Sequence, residues 1–160
     1  MTDDVIAHYQ QLLQRYPATL EQAMCVTYSQ GIDEDAFIRA FGGDPAATET
    51  RTLAELGQEL SVYRYDQVPS TLLVASVGGW LVGIEDNGFQ GSRPEVMRGA
   101  SAGGTAVSVF WNVNGVNKFT YSVAGRPYTW VGVPTSCSTP RRRIATRSAM
   151  VSASAWSCVT

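Results

Sequence analysis

Apolar and polar residues alternate through most of residues 71–133, which is the pattern of strands that bury one face. Residues 71–77 are apolar, small or β-branched, as a half-buried strand requires, and the alternation continues from Trp80 to Asp86. Gly78-Gly79 lies between these two segments and is typical of a two-residue hairpin turn, because glycine adopts positive φ without a steric penalty. The sequence therefore predicts a first antiparallel hairpin here.

A second hairpin is predicted around Asn114-Gly115, the strongest short hairpin signal in the chain. Before the turn, one strand face carries Val107, Val109, Trp111 and Val113, and the other carries Ser108, Phe110 and Asn112. Phe119, Tyr121 and Val123 continue the apolar face after the turn. A further strand is expected from Tyr128 to Val133.

A short helix is predicted between the two hairpins, at about Arg93 to Ala100. Ser92 and Glu95 have the spacing of a capping box, in which both side chains accept backbone N–H groups at a helix start. Pro94 suits the first turn of that helix, where its missing N–H is not needed.

Helical signals dominate the residues before the sheet. They predict a first helix from Asp3 or Asp4 to about Arg15, a second from Leu20 to Ser29 behind the capping box Thr19-x-x-Gln22, a third from Glu34 to Phe41 capped by Asp33, and a fourth from Thr52-x-x-Glu55 to about Leu60. Helices followed by antiparallel strands indicate the α+β class. The expected fold has N-terminal short helices packed on an antiparallel β-meander of about five strands, with one helix inserted after strand 2.

The chain changes character near residue 133, which predicts a single domain over residues 1–133 and a basic Ser/Thr/Arg-rich tail over residues 134–160. All 14 acidic residues and half of the 12 basic ones precede residue 99. The tail contains Arg141, Arg142, Arg143 and Arg147, which are candidates for contacts with nucleic-acid phosphates. Its apolar residues, such as Trp156, would also allow it to pack.

Composition argues against several kinds of chemistry. The 160 residues contain one histidine and three cysteines without a C-x-x-C spacing, so neither a metal site nor a cofactor is expected. No apolar run reaches the roughly 18 residues of a membrane span, and Asp3 and Asp4 do not suit a secretory signal. A cytoplasmic location is the expectation.

Polar residues at the end of the second predicted strand form a candidate ligand site. Glu85, Asp86 and Asn87 end that strand, and Arg93 stands at the predicted helix start. Carboxylates and a guanidinium together would suit a small ligand or acid–base chemistry. Two simpler interpretations remain open: the acidic and amide side chains serve the turn, and Arg93 forms a structural ion pair with Glu85 or Asp86.

A mixed aromatic and polar surface is a candidate site for a partner protein. Phe110, Asn112 and Lys118 lie on one side of the second hairpin, with Asn114 in its turn. If one face of the sheet is left uncovered by helices, we expect this side, together with Thr120, to be the face that points outward.

Four segments resemble a family of small uncharacterised bacterial domains, found mainly in high-GC Gram-positive bacteria and known only as a domain of unknown function. They are Cys25-Val26-Thr27 with Gly31, the strand from Gly79-Trp80 to Glu85, the stretch Asn87-Gly88-Phe89-x-Gly91-Ser92-Arg93-Pro94-Glu95, and Ala106-Val107-Ser108-Val109-x-Trp111-Asn112-Val113-Asn114. The resemblance covers about residues 20–126. It implies that these residues form one unit, and it implies no activity.

Three functional hypotheses follow. The first is a non-catalytic protein-binding module, such as an immunity-type or regulatory protein in bacterial conflict. The second is a small-ligand-binding protein or enzyme that uses Glu85, Asp86 and Arg93. The third is a nucleic-acid accessory protein that acts through the arginine tail.

Overall fold

A computed structural model describes residues 6–8, 10, 11, 14, 23–64, 67, 69–132 and 156–159, with backbone only for 129–132 and 156–159. The described residues of the N-terminal segment, 6–8, 10, 11 and 14, are helical. The rest of the helix predicted up to Arg15 lies outside the described residues. No helix in these ranges is both long enough and apolar enough to cross a membrane.

The centre of the fold is an eight-stranded sheet in the order β2-β8-β3-β4-β1-β5-β6-β7. Its strands are β1 (Ala23–Gln30), β2 (Thr48–Arg51), β3 (Leu72–Val77), β4 (Trp80–Asp86), β5 (Thr105–Asn112), β6 (Asn117–Val123), β7 (Arg126–Gly132) and β8 (Trp156–Val159). All neighbouring strands are antiparallel. The α+β class and both predicted hairpins are confirmed.

The prediction of a helix from Leu20 to Ser29 is wrong, because Ala23–Gln30 form the strand β1. This strand alternates small polar residues with apolar ones, and Cys25, Thr27 and Ser29 share one face. Val26 and Thr27 are β-branched and favour a pleated strand over a helix. The two-residue alternation of side chains, which is typical of a strand, therefore predicts this segment better than its helical signals do.

Strand β1 also changes the topology that the sequence predicts. It pairs with β4 on one side and with β5 on the other, so the sheet is not a simple meander. Strand β8 lies between β2 and β3, and the sheet therefore includes residues on both sides of residue 133.

Between residues 23 and 132, the described part of the chain has three α-helices: α1 (Glu34–Ala40), α2 (Leu53–Leu60) and α3 (Pro94–Ala100). The caps of α1 and α2 are as predicted. Asp33 accepts the N–H of Ala36 at 2.7 Å, and Thr52 and Glu55 form a full capping box. The predicted capping box of α3 does not form, because the Ser92 hydroxyl donates to the Phe89 carbonyl at 2.8 Å instead.

Helices α1 and α3 cover one face of the sheet, which we call the covered face. One row of this face crosses five strands through Val74, Gly83, Thr27, Ser108 and Thr120. A Cβ on Gly83 would lie 2.8 Å from the Phe37 ring, so only glycine lets α1 approach this closely. From the same core cluster, Phe37 and Met97 pack against Leu72, Val74, Leu81 and Ala106.

Among the described residues, α2 packs on one end of the opposite sheet face. Leu56 and Leu60 of α2 pack with Leu73, and Ile84 borders this smaller cluster. The expectation that the side bearing Phe110, Lys118 and Thr120 would face outward is therefore wrong. That side is the covered face, where Thr120 is fully buried.

Candidate functional site

The Glu85 carboxylate is the most unusual group at the end of β4, because it is only 4% exposed. Its two oxygens accept the N–H groups of Gln90 at 2.8 Å and Gly91 at 2.7 Å. The carboxylate thereby closes the loop between β4 and the 3-10 turn Gln90–Ser92. Asn87 adopts a φ of 55° in this loop, a conformation that asparagine tolerates better than most residues. Glu85 thus has a structural role, which is to hold the loop after β4 by accepting its backbone N–H groups.

A buried polar network lies directly beside Glu85. Cys25 and Ser108 approach to 3.3 Å between Sγ and Oγ, and the Thr27 hydroxyl donates to Ser108 at 3.1 Å. Gly91 rests on this network, and a Cβ there would lie 2.1 Å from the Thr27 hydroxyl oxygen. The loop that Glu85 holds is therefore pressed against the centre of the sheet.

Burial has the largest effect on the pKa values of the acidic groups and the thiol at this site. It raises the pKa of Glu85, while the backbone N–H groups of Gly91 and Gln90 oppose the rise. It likewise raises the pKa of Asp86. Burial and the Glu85 charge raise the pKa of the Cys25 thiol to about 12. Cys25 is therefore a protonated, buried thiol and is not poised as a nucleophile.

We expect the contribution of Glu85 to stability to fall as pH rises above about 4.5, the ordinary pKa of a glutamate. A raised folded-state pKa means that the folded protein binds the proton more tightly than the unfolded chain does. The contribution is thus full below 4.5 and is lost as pH rises through the folded pKa. The contribution is measured as the difference between the free energies of urea unfolding of the wild type and of Glu85→Gln at a series of pH values. If the free energy of unfolding of the wild type rose with pH relative to that of Glu85→Gln, the result would contradict the expectation.

Arg93 does not join the acidic group, and the predicted ion pair with Glu85 or Asp86 is wrong. Its guanidinium pairs with Glu95, and its Nη1 donates to the Gln90 side-chain oxygen at 2.9 Å. Arg93 is exposed beyond the loop, whereas Glu85 lies beneath it. The spacing in sequence could not show this separation, because it depends on the path of the chain through the 3-10 turn Gln90–Ser92.

A cleft of about 220 Å³, the Glu85 cleft, opens between residues 69–71 and residues 85–90. A second cavity of about 130 Å³ adjoins it on the side of residues 41–43. Ser70, Thr71, Glu85 and Gln90 line both. Thr71 is only 6% exposed, and its hydroxyl has no hydrogen-bond partner among the described residues. Of the predicted ligand candidates, the cleft gathers Glu85, Asp86 and Asn87.

The predicted partner-surface residues occupy different environments. Phe110 is half-buried, with its ring centroid 6.5 Å from that of Phe89. The Asn112 side chain accepts backbone N–H groups in the hairpin turn, and Asn114 is exposed there. Lys118 is half-buried and donates to the Ser92 carbonyl. Arg141, Arg142, Arg143 and Arg147 lie outside the described residues, so the nucleic-acid interpretation stays a prediction.

The sequence analysis does not identify two residues of the site, Thr71 and Gly91. Thr71 gives no local signal, since a threonine before an apolar strand is ordinary. Gly91 belongs to a motif, but its role depends on the contact with β1, a segment for which the sequence predicts a helix. In the described ranges, no three histidine, cysteine, aspartate or glutamate side chains are arranged to hold a metal ion.

The fold defines an α+β domain in which an acidic cleft lies at the end of a central antiparallel hairpin. The model of a family of unknown function, DUF6461, matches residues 3–138, and the chain belongs to that family. The match confirms that the residues with the recognised motifs form part of an uncharacterised domain. No curated protein and no solved structure matches the chain.

Proposed function

We propose that this protein is a non-catalytic module that binds another protein through the sheet face opposite α1 and α3. The open face, as we call it, consists of Tyr28, Val107, Val109, Trp111, Phe119, Tyr121 and Tyr128. The strand register joins its residues into rows across β1, β5 and β6. One row contains Tyr28, Val107 and Tyr121, and the next contains Val109 and Phe119.

The exposure of this aromatic and aliphatic surface carries the proposal. Tyr28 is 43% exposed and Tyr128 is 64% exposed, and the Tyr128 ring centroid lies 6.2 Å from that of Tyr121. Val109 is also exposed, whereas the other members are half-buried, namely Val107, Trp111, Phe119 and Tyr121. Contiguous exposed apolar surface typically marks an interaction site.

The residue types suit a protein partner. Tyrosine and tryptophan are enriched among the residues that dominate binding energy at protein interfaces, because they combine a large apolar area with a polar atom. The partner should present an apolar centre that covers Tyr28 and Val109, with polar groups for the tyrosine hydroxyls. An immunity-type or regulatory protein would use such a surface.

The proposal is tested with two open-face variants, Tyr28→Ser and Val109→Ser, and one matched control, Val62→Ser. Val62 is 80% exposed, follows α2 and is not one of the open-face residues. Each protein serves as bait in its native host, and captured proteins are compared by quantitative mass spectrometry. The purified partner is then titrated calorimetrically. We expect the open-face variants to bind at least about tenfold more weakly, the effect of one lost anchor, and the control to bind like the wild type.

Circular dichroism first establishes that all three variants are folded. Sedimentation of the isolated protein shows whether the open face instead joins two copies of the chain. A partner whose affinity is equal for wild type, Tyr28→Ser and Val109→Ser would refute the proposed surface. A catalytic turnover that depends on Glu85 or Asp86 would refute the absence of catalysis.

A further inference from the structure

The Glu85 cleft is a polar cavity whose charged groups are all acidic. The residues that line it include two acidic ones, Glu85 and Asp86, and in the described part of the chain no lysine, arginine or histidine lines it. Arg93, the nearest cation in sequence, is engaged with Glu95 and Gln90 outside the cleft. The charge of this cavity therefore favours a positively charged occupant over an anion.

An unpartnered hydroxyl gives independent evidence that the cleft is incomplete. Thr71 lines both the Glu85 cleft and the adjoining cavity, and its hydroxyl is buried without a hydrogen-bond partner in the described part of the chain. A buried hydroxyl without a partner costs free energy, so native proteins rarely leave one unless something else satisfies it. A ligand with N–H groups would supply the missing partner.

Glu85 also retains capacity for a ligand. Its oxygens accept one backbone N–H each, from Gln90 and Gly91, and a hydrogen bond from the Cys25 thiol, whereas a carboxylate has about four acceptor positions. The two backbone contacts fix the orientation of the carboxylate, so it binds without losing further conformational freedom.

Phe89 adds an aromatic wall to the acidic one. It lines the cleft and is 54% exposed, and its ring is held edge-on to that of Phe110. Ammonium and guanidinium groups are attracted to the face of an aromatic ring as well as to carboxylates. The volume of about 220 Å³ lies below the roughly 300 Å³ at which drug-sized sites begin, so the occupant is small.

We propose that the Glu85 cleft binds a small organic cation, an alkylammonium or guanidinium compound, between Glu85, Asp86, Thr71 and Phe89. This site goes beyond the proposed protein binding and is separate from the open face. A variant that abolishes partner binding through Tyr28 leaves it intact, so the two proposals fail independently.

The test is a titration of the ¹⁵N-labelled full chain with methylguanidinium and with n-butylammonium, followed by NMR. n-Butanol and butyrate serve as neutral and anionic controls. We expect saturable shifts of the amide signals of Gly88, Gln90 and Gly91 with the cations and none with the controls. Equal shifts with butanol, or shifts that rise linearly without saturation, would overturn the proposal. Saturation by Mg²⁺ or Ca²⁺ instead of the organic cations would also overturn it.

Variants then assign the binding groups. Asp86→Asn removes a charge from a half-buried position, and we expect at least about tenfold weaker binding, the usual effect of losing a charge-assisted hydrogen bond. Asp35→Asn removes an exposed carboxylate on α1 and should bind like the wild type. Thr71→Val should weaken binding without lowering the thermal midpoint of the free protein, since the lost hydroxyl had no partner. Unchanged binding in both Asp86→Asn and Thr71→Val would refute the assignment.

Discussion

Replacing Glu85 by alanine should lower the free energy of unfolding by about 3 kcal/mol, because two backbone N–H groups lose their acceptor at once. Gln90 and Gly91 donate to the two carboxylate oxygens, and the Gly91 contact is buried. For a chain of this size, about 3 kcal/mol corresponds to a fall of about 6–12 °C in the thermal midpoint. Urea unfolding monitored by tryptophan fluorescence measures the change directly.

Two further variants separate the hydrogen bonds of Glu85 from its charge. Glu85→Gln keeps one acceptor oxygen, so its loss of stability should be intermediate. Glu95→Ala removes an exposed carboxylate in the same region, which pairs with Arg93, and should change stability little. If Glu85→Ala were as stable as Glu95→Ala, the loop would not depend on the buried carboxylate.

The second half of the fold could be predicted because its signals are local. Gly78-Gly79 and Asn114-Gly115 specify tight turns, and the alternation on either side specifies which residues share a face. The caps at Asp33 and Thr52 are equally local, and they form as predicted. These features need no information about distant parts of the chain.

The position of β1 could not be predicted, because its neighbours are distant in sequence. Cys25 pairs with Glu85 on one side and with Phe110 on the other. Read alone, residues 20–29 contain a capping signal and no strong turn, and that favoured a helix. Only the paired strands β4 and β5 show that a two-residue period with a small polar face fits between them.

Only part of the candidate site could be predicted, because the rest depends on contacts between residues that are distant in sequence. Glu85, Asp86 and Asn87 are consecutive, so a strand end is enough to group them. Whether Arg93 joins them depends on the path of the turn, and Thr71 reaches the cleft from a different strand connection. The face covered by helices depends on tertiary packing as well, which is why the outward side of β5 and β6 was assigned wrongly.

Gly91→Ala should destabilise the protein by about 3 kcal/mol, at the upper end of the usual cost of overpacking a core. The new Cβ would lie 2.1 Å from the Thr27 hydroxyl oxygen and 3.0 Å from Cys25 Sγ. Neither neighbour moves easily, since Thr27 donates to Ser108 and both are buried in the middle of the sheet. Chemical unfolding in urea, with fluorescence as the signal, gives the free-energy difference from the wild type.

A double-mutant cycle with Thr27→Ala distinguishes this collision from a general weakening of the loop. Thr27→Ala removes the oxygen that the new Cβ would meet and leaves the Cys25 contact in place. The double variant should therefore be more stable than the sum of the single effects predicts, by about 1–2 kcal/mol, which is a normal coupling for residues in direct contact. Additive effects would mean that the collision with Thr27 is not the source of the lost stability. Coupling would instead show that the loop bearing the Glu85 contacts is positioned by its fit against β1, the strand that sequence patterns alone assigned to a helix.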